Sequence, residues 1–158
     1  MGAGKSSVAK GLSKELNSQL VELDDEIVAL SGLGSVKAIF EQFSEGRFRE
    51  LESQALNSAL KTVSPQIIST GGGVLSTPRN QELLKASTAK IVLLSASFET
   101  IAWRLDGDSE RPLFKDIESA KQLYTERQSL YEEIADFKLA TDDLAIEEVI
   151  EKIISLLV

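Results

Sequence analysis

The sequence predicts an α/β fold of the three-layer kind, a parallel sheet with helices on both faces. Three observations carry that prediction. Short β-branched or apolar runs alternate with helical patterns along the chain, a glycine-rich turn at Gly2 and Gly4 opens directly into a helix, and a triple glycine, Gly71 to Gly73, follows one of the strand runs. Strands separated by helices pair in parallel and gather ligands at their carboxyl ends. At 158 residues the chain is expected to form one domain, 1–158.

The elements follow in order. Val8, Leu12 and Leu16 recur every four residues, so residues 5–17 read as a helix. Leu20 to Leu23 is a short strand that passes at Asp24 into a helical pattern, DEIVAL. After Gly32 and Gly34, VKAIFEQF and GRFRELESQALNSALKTV give two more helices. QIIST at 66–70 is a β-branched run stopped by the three glycines, as a buried parallel strand entering a tight loop should be. A helix follows around Arg79 to Ala86, then a buried strand within KIVLLSA at 90–96, then the helix FETIAWRL. GDSERPLFKD at 107–116 is a charged loop, ESAKQLYTERQSLYEEIA a long helix, FKLAT a last strand and AIEEVIEKIISLL the closing helix. Phe40, Phe43, Phe48 and Tyr131 are assigned to the core.

Composition narrows the chemistry. With 17 basic against 25 acidic residues the net charge is -8, which disfavours a nucleic-acid surface. No 18-residue apolar run is present, so no membrane partner is expected. The chain has no cysteine and no histidine. Catalysis must therefore use carboxylates, lysine, arginine, hydroxyls or a bound metal ion.

Four groups of residues suit phosphoryl transfer. Gly4, Lys5 and Ser6 match the end of the phosphate-loop pattern G-x-x-x-x-G-K-[ST], in which backbone amides hold phosphate, the lysine neutralises charge and the hydroxyl ligates magnesium. The pattern's first glycine, and the strand that would precede it, stand before Met1, so truncation is the expectation. A flexible terminus with a serine cap is the plain alternative. Glu22 and Asp24, alternating to one side at a strand end, could bind hydroxyls, accept a proton or hold hydrated magnesium. Without further support, Asp24 reads better as the cap of the following helix. The triple glycine admits positive φ or the close approach of a ligand, and equally a sharp turn. Arg49, Arg104, Arg111 and Arg127 could each grip a carboxylate or phosphate.

The succession MGAGKSS, ELDDEI, SVKAIFEQFSEGRFRELE, ISTGGGV, ERPLF and ERQSLYEEIA resembles the shikimate kinase family over nearly the whole chain. The resemblance implies ATP and Mg2+ as cofactors and shikimate as the small-molecule substrate. It implies that Gly2, Ala3, Gly4, Lys5, Ser6 and Ser7 form the nucleotide loop, with Ser6 on the metal. Asp24 matches the carboxylate that binds the shikimate hydroxyls and takes the reacting proton. Glu22 replaces the family's first aspartate, which acts on magnesium through water, and Ser69 falls at the family's magnesium-side serine. Arg49 and Arg127 correspond to the two carboxylate-gripping arginines, Gly71, Gly72 and Gly73 line the shikimate pocket, Arg104 stacks on adenine, and Arg111 reaches the ATP phosphates from a lid at 107–116. Residues 33–60 form the substrate-binding helical region, and one extra residue lies in SGLGS. Lys5, Asp24 and Arg111 are the expected catalytic set, in a cytoplasmic monomer, or a plastid protein for a plant source. Another small P-loop kinase, such as a gluconate kinase, and a non-catalytic binding protein are the alternatives.

Overall fold

Strands pair in parallel, and they do so in two separate pairs. The protein's structure is a computed structural model that describes residues 3–105 and 117–157, with side chains at 3–102 and 118–157. In it β1 (Gln19–Glu22) pairs with β2 (Gln66–Ser69), and β3 (Val92–Ser95) with β4 (Phe137–Ala140). The helices are α1 (Lys5–Glu15), α2 (Leu23–Ser31), α3 (Val36–Gln42), α4 (Glu45–Leu60), α5 (Pro78–Ala86), α6 (Phe98–Leu105), α7 (Ile117–Ile134) and α8 (Ile146–Leu157). Each matches an element expected from hydrophobic spacing to within a few residues. A short 3-10 turn at Val74–Ser76 was not expected. The chain divides into two compact units, Ala9–Ala89 and Met1–Val8 with Lys90–Val158.

In the unit Ala9–Ala89, α2 lies against α4, α3 and β1. Leu23, Ile27, Ile39, Leu51 and Leu56 are fully buried, each contributing roughly 1.5–3 kcal/mol through the apolar surface it withdraws from water. Phe48, Leu51, Ala55, Leu56 and Ala59 form the buried stripe of α4 at spacings of three and four, and Glu52 sits inside that stripe. Serine side chains start two of these helices: Ser35 Oγ accepts from the Ala38 N–H at 3.1 Å, and Ser44 Oγ from the Arg47 N–H at 3.3 Å. Phe48 is core as expected, but Phe40 and Phe43 are 45% and 40% exposed. Phe40 stacks on Phe48 with centroids 4.6 Å apart and leaves its other side to solvent.

In the other unit, Ala96 and Ile101 form a small core with Tyr124 packed on it. The Tyr124 hydroxyl donates to the Ala96 carbonyl at 2.8 Å, and its ring meets Phe98 edge-on. Val149, Ile150 and Ile153 are the buried face of α8. The strand β3 was expected to be buried, and it is half-buried along its length; its hydrogen-bonded neighbour is β4 alone among the described strands.

An acid from outside the helix completes the cap of α6. Ser97 Oγ accepts from the Thr100 N–H at 3.2 Å, and the Asp142 carboxylate accepts from the Ser97 N–H and the Thr100 hydroxyl, both at 2.8 Å. Hydrogen bonding from Ser97, then from Thr100, holds the Asp142 carboxyl down at about 2, against an ordinary 3.8. A lowered pKa stabilises the fold above the ordinary value and ceases to do so as pH falls from 3.8 towards 2. Asp142→Asn is therefore expected to cost about 1 kcal/mol at neutral pH, the usual worth of a helix cap. Urea unfolding of the two proteins should converge as pH falls to about 2; a constant difference from neutral pH down to that point would rule out the carboxylate as the cause.

Candidate active site

β1 runs into α2 with no intervening loop. Glu22 is both the last strand residue and the residue before the helix, with φ -84 and ψ 113, and its side chain makes no cap hydrogen bond. Asp24 is thus the second residue of α2 rather than its cap, and strand alternation does not relate it to Glu22. It shares the first turn with Asp25 and Glu26 and is exposed. Three carboxylates sit where the helix dipole favours negative charge. In the parallel register Glu22 stands opposite Ser69, at the carboxyl ends of β1 and β2.

The glycine stretch begins after β2. Among the described glycines, positive φ occurs at Gly4 and Gly32 and at none of Gly71 to Gly73. What the stretch supplies is space. A Cβ on Gly71 would lie 3.4 Å from Asp24 Oδ1 and 3.7 Å from Glu52 Oε1. A Cβ on Gly73 would lie 2.6 and 2.7 Å from the two terminal nitrogens of Arg49. The half-buried Gly72 lies between them.

Arg49 rests directly on this backbone. Its Nη1 donates to Glu52 Oε2 at 2.9 Å and to the Gly73 carbonyl at 3.2 Å, while Nη2 faces Glu45 Oε1 at 3.5 Å. Glu52 is 1% exposed and Arg49 retains 20% of its side-chain surface. Asn80, fully buried on α5, donates through Nδ2 to the Val74 carbonyl at 2.9 Å and reaches Glu52 Oε2 at 3.5 Å. Asp24, Arg49, Gly71 and Gly73 are therefore brought together by the fold. Glu52 and Asn80 were not singled out; a charged residue inside the apolar stripe of α4 was the signal for the first.

The other unit holds the phosphate-loop residues. Gly4 has φ +80, a conformation that a side chain would strain, and its carbonyl accepts from the Val8 N–H at 3.0 Å. Lys5, Ser6 and Ser7 are the first three residues of α1, whose opening turn carries no acid. A helix N-terminus presents backbone N–H groups and partial positive charge to an anion. Ala3, Ser95, Tyr124, Arg127 and Tyr131 line a common cavity of about 30 Å³, room for a water molecule. Arg127 Nε is buried and has no hydrogen-bond acceptor. Gly2, Arg111 and the 107–116 lid lie outside the described residues, as does the side chain of Arg104, whose backbone is in α6.

Among the described residues, no three histidine, cysteine, aspartate or glutamate side chains gather as a metal cage. No helix among them is long and apolar enough to cross a membrane.

A family model described as shikimate kinase matches residues 1–158. A shikimate kinase of Geobacter sulfurreducens is 42% identical over 97% of this chain and 84% of its own length. One of a Sulfurihydrogenibium species is 36% identical over 98% and 92%. A solved structure, shikimate kinase from Acinetobacter baumannii in complex with shikimate, superposes with a TM-score of 0.89 at 30% identity, covering 99% of this chain and 88% of the other.

Proposed function

We infer, from the premise that this chain belongs to the shikimate kinase family, that it is a phosphotransferase carrying the γ-phosphoryl group of ATP to the 3-hydroxyl of shikimate. The observation that carries this reading is the meeting of a guanidinium, Arg49, and a carboxylate, Asp24, on the space left by Gly71 to Gly73. A substrate with one carboxylate and three hydroxyls needs both. The whole chain, 1–158, serves the one reaction, with residues 33–60 as the acceptor-binding region. We place it in the cytoplasm as a monomer.

Each residue then has a task. Arg49 and Arg127 hold the shikimate carboxylate; the acceptorless buried Nε of Arg127 supports this, because a buried donor left unsatisfied is costly and an anion removes the cost. Asp24 orients the 3-hydroxyl and takes its proton as the new O–P bond forms and the bond from the γ-phosphorus to the β-bridging oxygen breaks, leaving ADP. Ala3, Gly4, Ser7 and Gly2 cradle the phosphates, Lys5 and Arg111 neutralise charge on the transferred group, and Arg104 stacks on adenine. Positioning and fixed charge supply most of the acceleration.

The donors present suit a magnesium ion, being oxygen throughout: Ser6 at the start of α1, and Glu22 acting through water opposite Ser69. Magnesium, when bound, shields the charge of the β- and γ-phosphates.

A panel of acceptors tests the assignment by coupled ADP release. Shikimate is expected to support turnover, and gluconate and nucleoside monophosphates are not. Turnover with gluconate but not shikimate would overturn the substrate, and ATP binding with no turnover on any acceptor would overturn the catalysis.

A further inference from the structure

We propose that Asn80 is a positioning residue for the acceptor's carboxylate, acting through Glu52 on Arg49. The inference rests on the shikimate kinase reading and adds to it a residue that touches no substrate. Its basis is a closed circuit of hydrogen bonds. Arg49 Nη1 bonds Glu52 Oε2 and the Gly73 carbonyl; Asn80 Nδ2 bonds the Val74 carbonyl and reaches the same Glu52 oxygen. Since Gly73 and Val74 share a peptide bond, the circuit closes through the backbone. It ties α4, α5 and the end of the glycine stretch together around one guanidinium.

Each link constrains the next. Glu52 Oε2 receives both Arg49 and Asn80, so its carboxylate has little freedom to rotate. Both partners of the Asn80 amide nitrogen are acceptors, which fixes the amide orientation. The guanidinium is then held with Nη1 committed to protein and Nη2 turned to the exposed Glu45, which leaves that side able to exchange Glu45 for a ligand carboxylate. Stability accounts for only part of the residue, through its bond to the Val74 carbonyl. Asn80 is 0% exposed, yet its carbonyl oxygen accepts no hydrogen bond, and an orphaned buried acceptor destabilises a fold relative to an apolar residue of the same shape. An amide with one end unsatisfied and the other organising a binding group belongs with the function.

The test is a double-mutant cycle in kcat/KM for shikimate, using Asn80→Leu, Arg49→Ala and the pair. Asn80→Leu is expected to raise the shikimate KM about 3- to 10-fold, the range one ordinary hydrogen bond commands, with kcat and the ATP KM nearly unchanged and the melting temperature lowered by the Val74 carbonyl left without its donor. In the Arg49→Ala background it should have no further effect. Asn80→Ser, whose side chain is too short to reach Glu52, should give the same KM rise and serves if the leucine variant misfolds. An additive cycle, equal rises in both KM values, or an unchanged shikimate KM in a folded variant would overturn the role of Asn80 while leaving the enzyme's identity standing. Failure of the unsubstituted protein to phosphorylate shikimate would overturn the functional reading, and this inference with it.

Discussion

Asp24→Asn is expected to reduce kcat with shikimate by about 10²- to 10⁴-fold, the usual contribution of a positioned general base. The amide keeps the size and shape of the carboxylate but cannot accept a proton from the attacking hydroxyl. The fold should survive, because Asp24 is exposed on the second residue of α2 and Asp25 and Glu26 remain in the same turn to favour the helix dipole. A melting temperature close to that of the parent, with ATP binding intact, would separate chemistry from stability. Near-normal turnover would remove Asp24 from the mechanism.

Gly73→Ala should strike the acceptor end with comparable selectivity. The new methyl carbon would start 2.6 Å from Arg49 Nη2, 2.7 Å from Nη1 and 3.0 Å from Cζ. Those atoms end a flexible side chain, so the guanidinium moves and the backbone stays; Gly73 itself, at φ -105 and ψ 3, suits alanine. The displaced arginine loses its bonds to Glu52 and the Gly73 carbonyl. The shikimate KM should rise about 10- to 100-fold, as expected for lost hydrogen bonds to a charged group, with the ATP KM unchanged. If instead the shikimate KM held steady, the grip of Arg49 on the substrate would be refuted.

Local signals reach a definite depth in this chain. β-branched runs, serines before helices and three-to-four spacing lie within a few residues of one another, and elements such as β2, α3 and α8 are legible from them. At the start of α2 the aspartate-cap signal is overridden: the helix begins one residue before Asp24, after a glutamate whose side chain makes no cap hydrogen bond. The glycine stretch admits positive φ, close approach or a sharp turn on sequence alone; the structure uses it for room, and that choice depends on Arg49, 24 residues away in sequence. Glu52 and Asn80 are 28 residues apart, and a contact between buried faces of two helices leaves no periodic trace. The family succession supplied the roles of Asp24, Arg49 and the glycines; spacing alone left each of them open.

The register of the first strand pair has a consequence for how the site withstands change. Val21 is buried and sits opposite Ile68, while Glu22, the next residue, sits opposite Ser69. A slip of one position turns every side chain of a strand over, so any drift that misplaced the acid would also drag a core valine into water. Fidelity of the reaction centre is thereby insured by greasy neighbours that never meet a substrate, and a register slip that would blur the chemistry reveals itself first as a failure to fold.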